Sequence, residues 1–280
     1  MDANSFSRPE IIVDNQNVSV VWTGQDNLIH FIQSTDDGDS FNSIVDISSA
    51  FADGPQIAVG SSNIFTAWVN NGVIFTSTSS DGVNFSPESS ISNTVAANAD
   101  IAVDSNGDAY LVCEESPAGF SNRDVFVWSS STGNITNLSS DDTDSLNPKV
   151  RADSAGVAYV VWSENTDSDF LDDEIFYRTT SDSGNSWQGI KNISKSPSLF
   201  GSSGISHNPE IHELNGDVAI AWEDGSGFGE ESSIFASTTS SSDLEIYLNS
   251  TQYVGGDTAQ IRVVDPGNGN SSIDVTVTSE

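Results

Sequence analysis

The residues best equipped for chemistry in this 280-residue chain are carboxylates that recur at one kind of place. Glu114, Glu164 and Glu223 each follow a short apolar run: Leu111-Val112-Cys113, Val160-Val161-Trp162 and Ile220-Ala221-Trp222. Two carboxyl groups flanking a sugar bond are what glycoside hydrolysis requires, one as acid and one as base or nucleophile. Such a pair needs one raised pKa, and recurrence at equivalent places is also what repeat duplication produces, so spacing alone does not make these residues catalytic. Long acidic stretches follow the three glutamates, with aromatic tips at Phe120, Phe170 and Phe228. Rings that stack on sugar faces, beside acids such as Glu164, Glu223 and Asp224 that accept from hydroxyls, are the equipment of glycan recognition. In the second stretch Asp167, Asp169, Asp172 and Asp173 offer oxygen ligands that suit Ca2+, at a spacing unlike an EF-hand loop. Solvated charge accounts for those four aspartates equally well, and no other cofactor is indicated.

Composition narrows the partners. With 8 Lys and Arg against 41 Asp and Glu the net charge is −33, which repels nucleic acid and anionic membrane surfaces. Cations, cationic partners and neutral glycans remain, and a saline medium that screens self-repulsion explains the acidity without any ligand. No run of 18 apolar residues occurs, so no membrane insertion is expected, and Met1-Asp2-Ala3-Asn4 does not open a signal segment. The single cysteine, Cys113, has no partner for an internal disulfide.

The elements that position these residues come from a repeat. Its first part reads Pro9-Glu10-Ile11, Pro55-Gln56-Ile57, Ala99-Asp100-Ile101, Pro148-Lys149-Val150 and Pro209-Glu210-Ile211, each opening an alternating strand A. After a polar turn, strand B ends on Trp22, Trp68, Cys113, Trp162 or Trp222, so Cys113 stands where the others carry Trp and reads as a buried structural thiol. Strand C aligns Phe31 with Phe75, Phe126, Phe176 and Phe235, and a hairpin leads to strand D. Units of this length with four strands each predict an all-β propeller of five blades, or six if one more joins the ring.

At the C–D hairpins the sequence resembles a known family. Ser34-Thr35-Asp36-Asp37-Gly38-Asp39-Ser40-Phe41 and Thr180-Ser181-Asp182-Ser183-Gly184-Asn185-Ser186-Trp187 are similar to the Asp box of sialidases, the bacterial neuraminidase repeat. Ser79-Ser80-Asp81-Gly82-Val83-Asn84-Phe85 is a version one residue shorter, and unit three keeps only Gly133. A hydroxyl and a carboxylate accept from turn N–H groups, Gly supplies positive φ, and the closing aromatic, Phe41, Phe85 or Trp187, is expected to bury between sheets. Asp36, Asp81 and Asp182 are therefore structural. The resemblance implies a propeller, and a sialidase would further need three arginines clamping the substrate carboxylate. Of the propeller arginines only Arg151 lies on an innermost strand, which counts against that activity.

Residues 1–242 are thus expected to form the propeller. Residues 243–280 hold three alternating strands that resemble the start of an immunoglobulin-like surface module, or else supply closing strands to the last blade. The chain reads as part of a longer exported protein, with a complete intracellular propeller as the alternative, and its six Asn-x-Ser/Thr acceptors are in keeping with a cell surface, although so Ser- and Asn-rich a composition supplies several by chance. The expected function is a binding or adhesion module for a glycan or surface partner, acting through the face that carries the B–C loops. A secreted sialidase-like glycoside hydrolase using Glu114, Glu164, Glu223 and Arg151 is the alternative, and a structural spacer of a surface layer the third reading.

Overall fold

The computed structural model describes residues 8–60, 62–92, 95–116, 122–140, 143–166, 173–194, 205–214, 217–225, 233–238, 245–248, 258–265 and 271–278. Four successive antiparallel meanders account for the first four repeats. They are β1–β4 (Glu10–Asp14, Asn17–Thr23, Ile29–Ser34, Val45–Asp46) and β5–β8 (Asp53–Val59, Ile64–Asn70, Val73–Ser79, Ser89–Ser90). Next come β9–β12 (Ala96–Val103, Ala109–Glu115, Asp124–Ser129, Ile135–Asn137) and β13–β16 (Ser145–Ala152, Ala158–Asn165, Asp173–Thr180, Lys191–Asn192). The fifth is three-stranded, β17–β19 (Ile205–Leu214, Asp217–Gly225, Ser233–Thr238). A further sheet contains β20–β22 (Glu245–Leu248, Thr258–Asp265, Ser271–Thr278). Among the described residues β20 hydrogen-bonds to β21, and β17–β19 form a separate three-stranded sheet. The first strands β1, β5, β9, β13 and β17 neighbour one another in order, which is the inner wall of a β-propeller. Among the described residues no helix is long and apolar enough to cross a membrane.

The core lies between blades, because each sheet is apolar on both faces. Val21, Ile29 and Phe31 of blade one meet Ile64 and Trp68 of blade two, while Ala67 and Ile74 meet Ile101 and Leu111 of blade three. Tyr110, Val112 and Val125 then meet Val160 and Trp162, and Val161 and Ile175 meet Ile211, Ile220 and Trp222. Trp68, Trp162 and Trp222 all turn toward the preceding blade, and each buried indole is worth about 3–5 kcal/mol against Ala. Cys113 takes that position in blade three, 4% exposed beside a void of about 10 Å³. Burial raises its thiol pKa well above the ordinary value, and the carboxylate of Glu115 adds to the shift.

The register also corrects the strand C alignment. Trp22 lies opposite His30, whereas Trp68, Cys113, Trp162 and Trp222 lie opposite Phe75, Phe126, Phe176 and Phe235. His30, not Phe31, therefore occupies the repeated aromatic site, and its ring nitrogens face Asp26 and Asp46 at 2.9 and 2.7 Å.

The C–D turns follow the chemistry of the box. Ser34 Oγ accepts from Asp36 N and Gly38 N, and Asp36 accepts from Ser40 N at 2.8 Å and Ser40 Oγ at 2.5 Å. These bonds hold the Asp36 carboxyl below its ordinary 3.8, at about 2. Asp182 is held low in the same way by Ser186 and Thr180, and Asp81 by Asn84 and Val83. Phe85 packs edge-on to Phe31 of the preceding blade and Trp187 edge-on to Tyr110. Phe41 departs from the expected burial: it is 41% exposed, as are Ile11 and Val13 at 63% each, because they belong to the face that later blades bury against the blade before them.

Candidate functional site

The inner strands share a device at their N-terminal ends. In β5, β9, β13 and β17 one extra residue enters the ladder: Asp53 pairs Val69 and Gln56 pairs Ala67, with the same slip at Ala97–Asp100, Leu146–Lys149 and His207–Glu210. Each bulge holds one residue at positive φ, Gly54 (60°), Asn98 (49°), Asn147 (54°) or Asn208 (52°), and the next residue is Pro55, Ala99, Pro148 or Pro209. Gly and Asn are the residues that enter this left-handed region most readily. A bulge bends its strand and re-aims the side chains beside it. The four bulges stand at the same place in four neighbouring inner strands.

The result is a cavity of about 400 Å³ lined by Arg8, Glu10, Asp53, Gln56, Asn98, Asn147 and Lys149, with Pro55, Ala99, Pro148 and Val69 between them. Although the chain carries only 8 basic residues, Arg8, Lys149 and Arg151 all act on Glu10 here. Arg151 Nη1 donates to Asp100 Oδ2 at 2.9 Å, which also accepts from Val150 N, and Lys149 Nζ lies 3.2 Å from Glu210 Oε1. The funnel is thus locally charge-paired inside an acidic molecule. Burial raises the Glu10 carboxyl pKa first and nearby Asp100 raises it further, against the lowering pull of Lys149, Arg151 and Arg8. Asn147 Nδ2 reaches Asn208 Oδ1 at 3.3 Å, so bulge amides link neighbouring blades.

The glutamates picked out in the sequence sit differently from one another. Glu114 lies inside β10 with its side chain shut from solvent, accepting from Arg123 Nη1 at 2.6 Å, Asn98 Nδ2 at 2.6 Å and Asn147 N at 2.8 Å. It ties blade three to blade four. Glu164, inside β14 and 9% exposed, accepts from the Trp162 indole N–H at 2.7 Å and from Ser145 Oγ. Glu223 pairs with His207 at 3.0 Å and remains accessible. None of the three lines the funnel cavity, whereas Glu10 does. Asp173 accepts from Asn165 Nδ2 at 3.0 Å. Phe120, Phe170, Phe228, Asp167, Asp169 and Asp172, and the side chain of Asp224, lie outside the described residues.

Gln56, Asn98, Asn147 and Lys149 were missed as lining residues by the sequence reading, although a signal was present. Gly54-Pro55, Asn98-Ala99, Asn147-Pro148 and Asn208-Pro209 stand at one place in four repeats, and Gly or Asn before Pro or Ala in a strand marks a bulge. Among the described residues no group of three or more His, Cys, Asp and Glu side chains is arranged to hold a metal ion.

No family model and no curated protein matches this chain. Solved structures resemble it at low identity. A PL25 ulvan lyase is 12% identical with a TM-score of 0.49, the match covering 99% of this chain and 80% of that one. An endo-arabinase from Bacteroides thetaiotaomicron is 13% identical with a TM-score of 0.44, covering 84% and 94%. A GH43 endo-arabinanase from Bacillus licheniformis is 15% identical with a TM-score of 0.38, covering 89% and 97%.

Proposed function

We propose that this chain is a glycan-binding module of an extracellular or cell-surface protein, and that its ligand seats in the central funnel. The observation that carries the reading is the lining of the cavity of about 400 Å³. Carboxamides of Gln56, Asn98 and Asn147 both donate and accept, as sugar hydroxyls do, while Pro55, Ala99 and Pro148 offer low apolar surfaces between them. Lys149, which lines it, and Arg151, which borders it, are each paired with an acid, which favours a neutral or weakly charged sugar over a polyanion. The sialidase-type box, the charge of −33 and the acidic B–C stretches fit such a module working in saline surroundings within a longer protein.

The experiment is binding of the purified chain to a glycan array in high salt, repeated with Gln56→Ala and Lys149→Gln. Selective binding weakened by both substitutions supports the reading. Binding to no glycan by a folded chain, or binding indifferent to both substitutions, removes it.

A second reading, a glycoside hydrolase, draws support from Glu10, whose raised pKa in a funnel beside Asp100 is what a general acid needs. Fluorogenic glycosides, sialosides included, test it in high salt with Ca2+ and then with chelator. Turnover abolished by Glu10→Gln would establish the enzyme, and no turnover on any substrate leaves the binding module.

A further inference from the structure

The opposite face holds a second cleft, built from parts that the funnel does not use. It has a volume of about 280 Å³ and opens between the A–B turns of blades one and two and the two boxes beside them. Its floor is Gln33, only 7% exposed, whose Nε2 donates to Ser19 Oγ at 3.0 Å. The carboxamide oxygen of Gln33 abuts Gly82, where an added Cβ would stand 2.2 Å away. A side chain at Gly82 would have to displace the Gln33 carboxamide and hold φ +67°, so the shortened box of blade two favours glycine beneath the cleft.

The walls are polar and carry no cation. Asn17, Thr35, Asn63 and Ser80 border the cleft, and their side chains make no hydrogen bond to protein among the described residues. The Asp81 carboxylate is already occupied, accepting from Val83 N, Asn84 N and Asn84 Nδ2. Val59 and the buried Ile64 supply an apolar patch. No Lys or Arg lines the cleft, while Asp14 and Asp81 do, so an anion would be repelled.

We propose that this cleft is a binding site for a single ring of a neutral sugar, distinct from the funnel. Groups that can both donate and accept match hydroxyls, and the aliphatic patch matches the C–H face of a pyranose. Its volume of about 280 Å³ falls just below the roughly 300–1,000 Å³ of drug-sized ligand pockets, which suits one ring and not an oligosaccharide chain.

The test is saturation-transfer NMR and titration calorimetry with D-glucose, D-galactose, D-xylose and glycerol as probes. At least one sugar should bind saturably to the wild-type chain. Loss of two hydrogen bonds in the Asn17→Ala/Asn63→Ala double variant should weaken it about tenfold or more. The funnel substitution Lys149→Gln should leave this binding unchanged, which separates the cleft from the proposed function. Should the double variant fold poorly, Ser80→Tyr on the exposed turn should block the cleft instead. The proposal is overturned if no probe binds, if both cleft variants bind as tightly as wild type, if Lys149→Gln alone abolishes binding, or if only cations occupy the site.

Discussion

Replacing Glu114 should unlock blade three from blade four, and the cost can be worked out from its partners. In Glu114→Ala three donors lose their acceptor: the Asn98 carboxamide, the Asn147 backbone N–H and the Arg123 guanidinium. Orphaning a buried donor costs about 1–3 kcal/mol, and breaking a buried ion pair about 3–5. The Arg123 side chain is 49% exposed and recovers much of its hydration, so its share is discounted toward the surface range of roughly 0–1 kcal/mol. Asn98 is exposed and lines the funnel, so its carboxamide also regains water, and one orphaned backbone donor plus these two small remainders give about 1–4 kcal/mol. Glu114→Gln keeps an acceptor for Asn98 or Asn147 but turns an amide N–H toward Arg123, and should cost about 1–2 kcal/mol. Urea unfolding reads both values, provided that the slope stays unchanged between variants. If Glu114→Ala lies within about 0.5 kcal/mol of wild type, the inter-blade clamp is refuted and Glu114 is free for another role.

Other outcomes follow from the same geometry. The folded-state pKa of Asp36 is depressed from 3.8 to about 2, so its contribution to stability is present above the higher value and lost as pH falls through the lower. Acid unfolding curves of wild type and Asp36→Asn should therefore converge in that window, and parallel curves would contradict the box bonds. Gly82→Ala should cost roughly 1–3 kcal/mol, since φ is +67° and the new Cβ meets Gln33. Gly38→Ala, at φ +91° with open space around it, should cost less when both are compared by urea unfolding. The Cys113 thiol should stay unreactive toward a disulfide reagent in the native state and react once unfolded, whereas rapid native labelling would deny its burial.

Much of the architecture was legible because it rests on local patterns. Alternating strands, polar turns and Ser/Thr-x-Asp-x-Gly hairpins are short-range signals, and Cys113 could be placed by aligning it with Trp68 and Trp162. The one-residue error at strand C of blade one arose from matching Phe31 to the other phenylalanines. Only cross-strand register shows that His30 takes their place. Phe41 was expected to bury on the strength of its box, yet burial depends on the neighbouring blade and not on the turn that presents the ring. The funnel was hardest to read. Glu114 and Glu223 look equivalent in sequence, but whether a carboxylate is buried under an arginine or left beside a histidine depends on contacts between distant segments. The bulge residues Asn98, Asn147 and Asn208 carry no charge, and an uncharged carboxamide has no sequence signature of a site until the fold brings several together.

The most direct measurement of the central claim is a crystal structure of the chain grown with the tightest-binding oligosaccharide from the array. The account predicts sugar density in the central funnel, in hydrogen-bond contact with Gln56 and Asn147 and beside Lys149. An empty funnel, with the oligosaccharide held only by other surfaces, would contradict it.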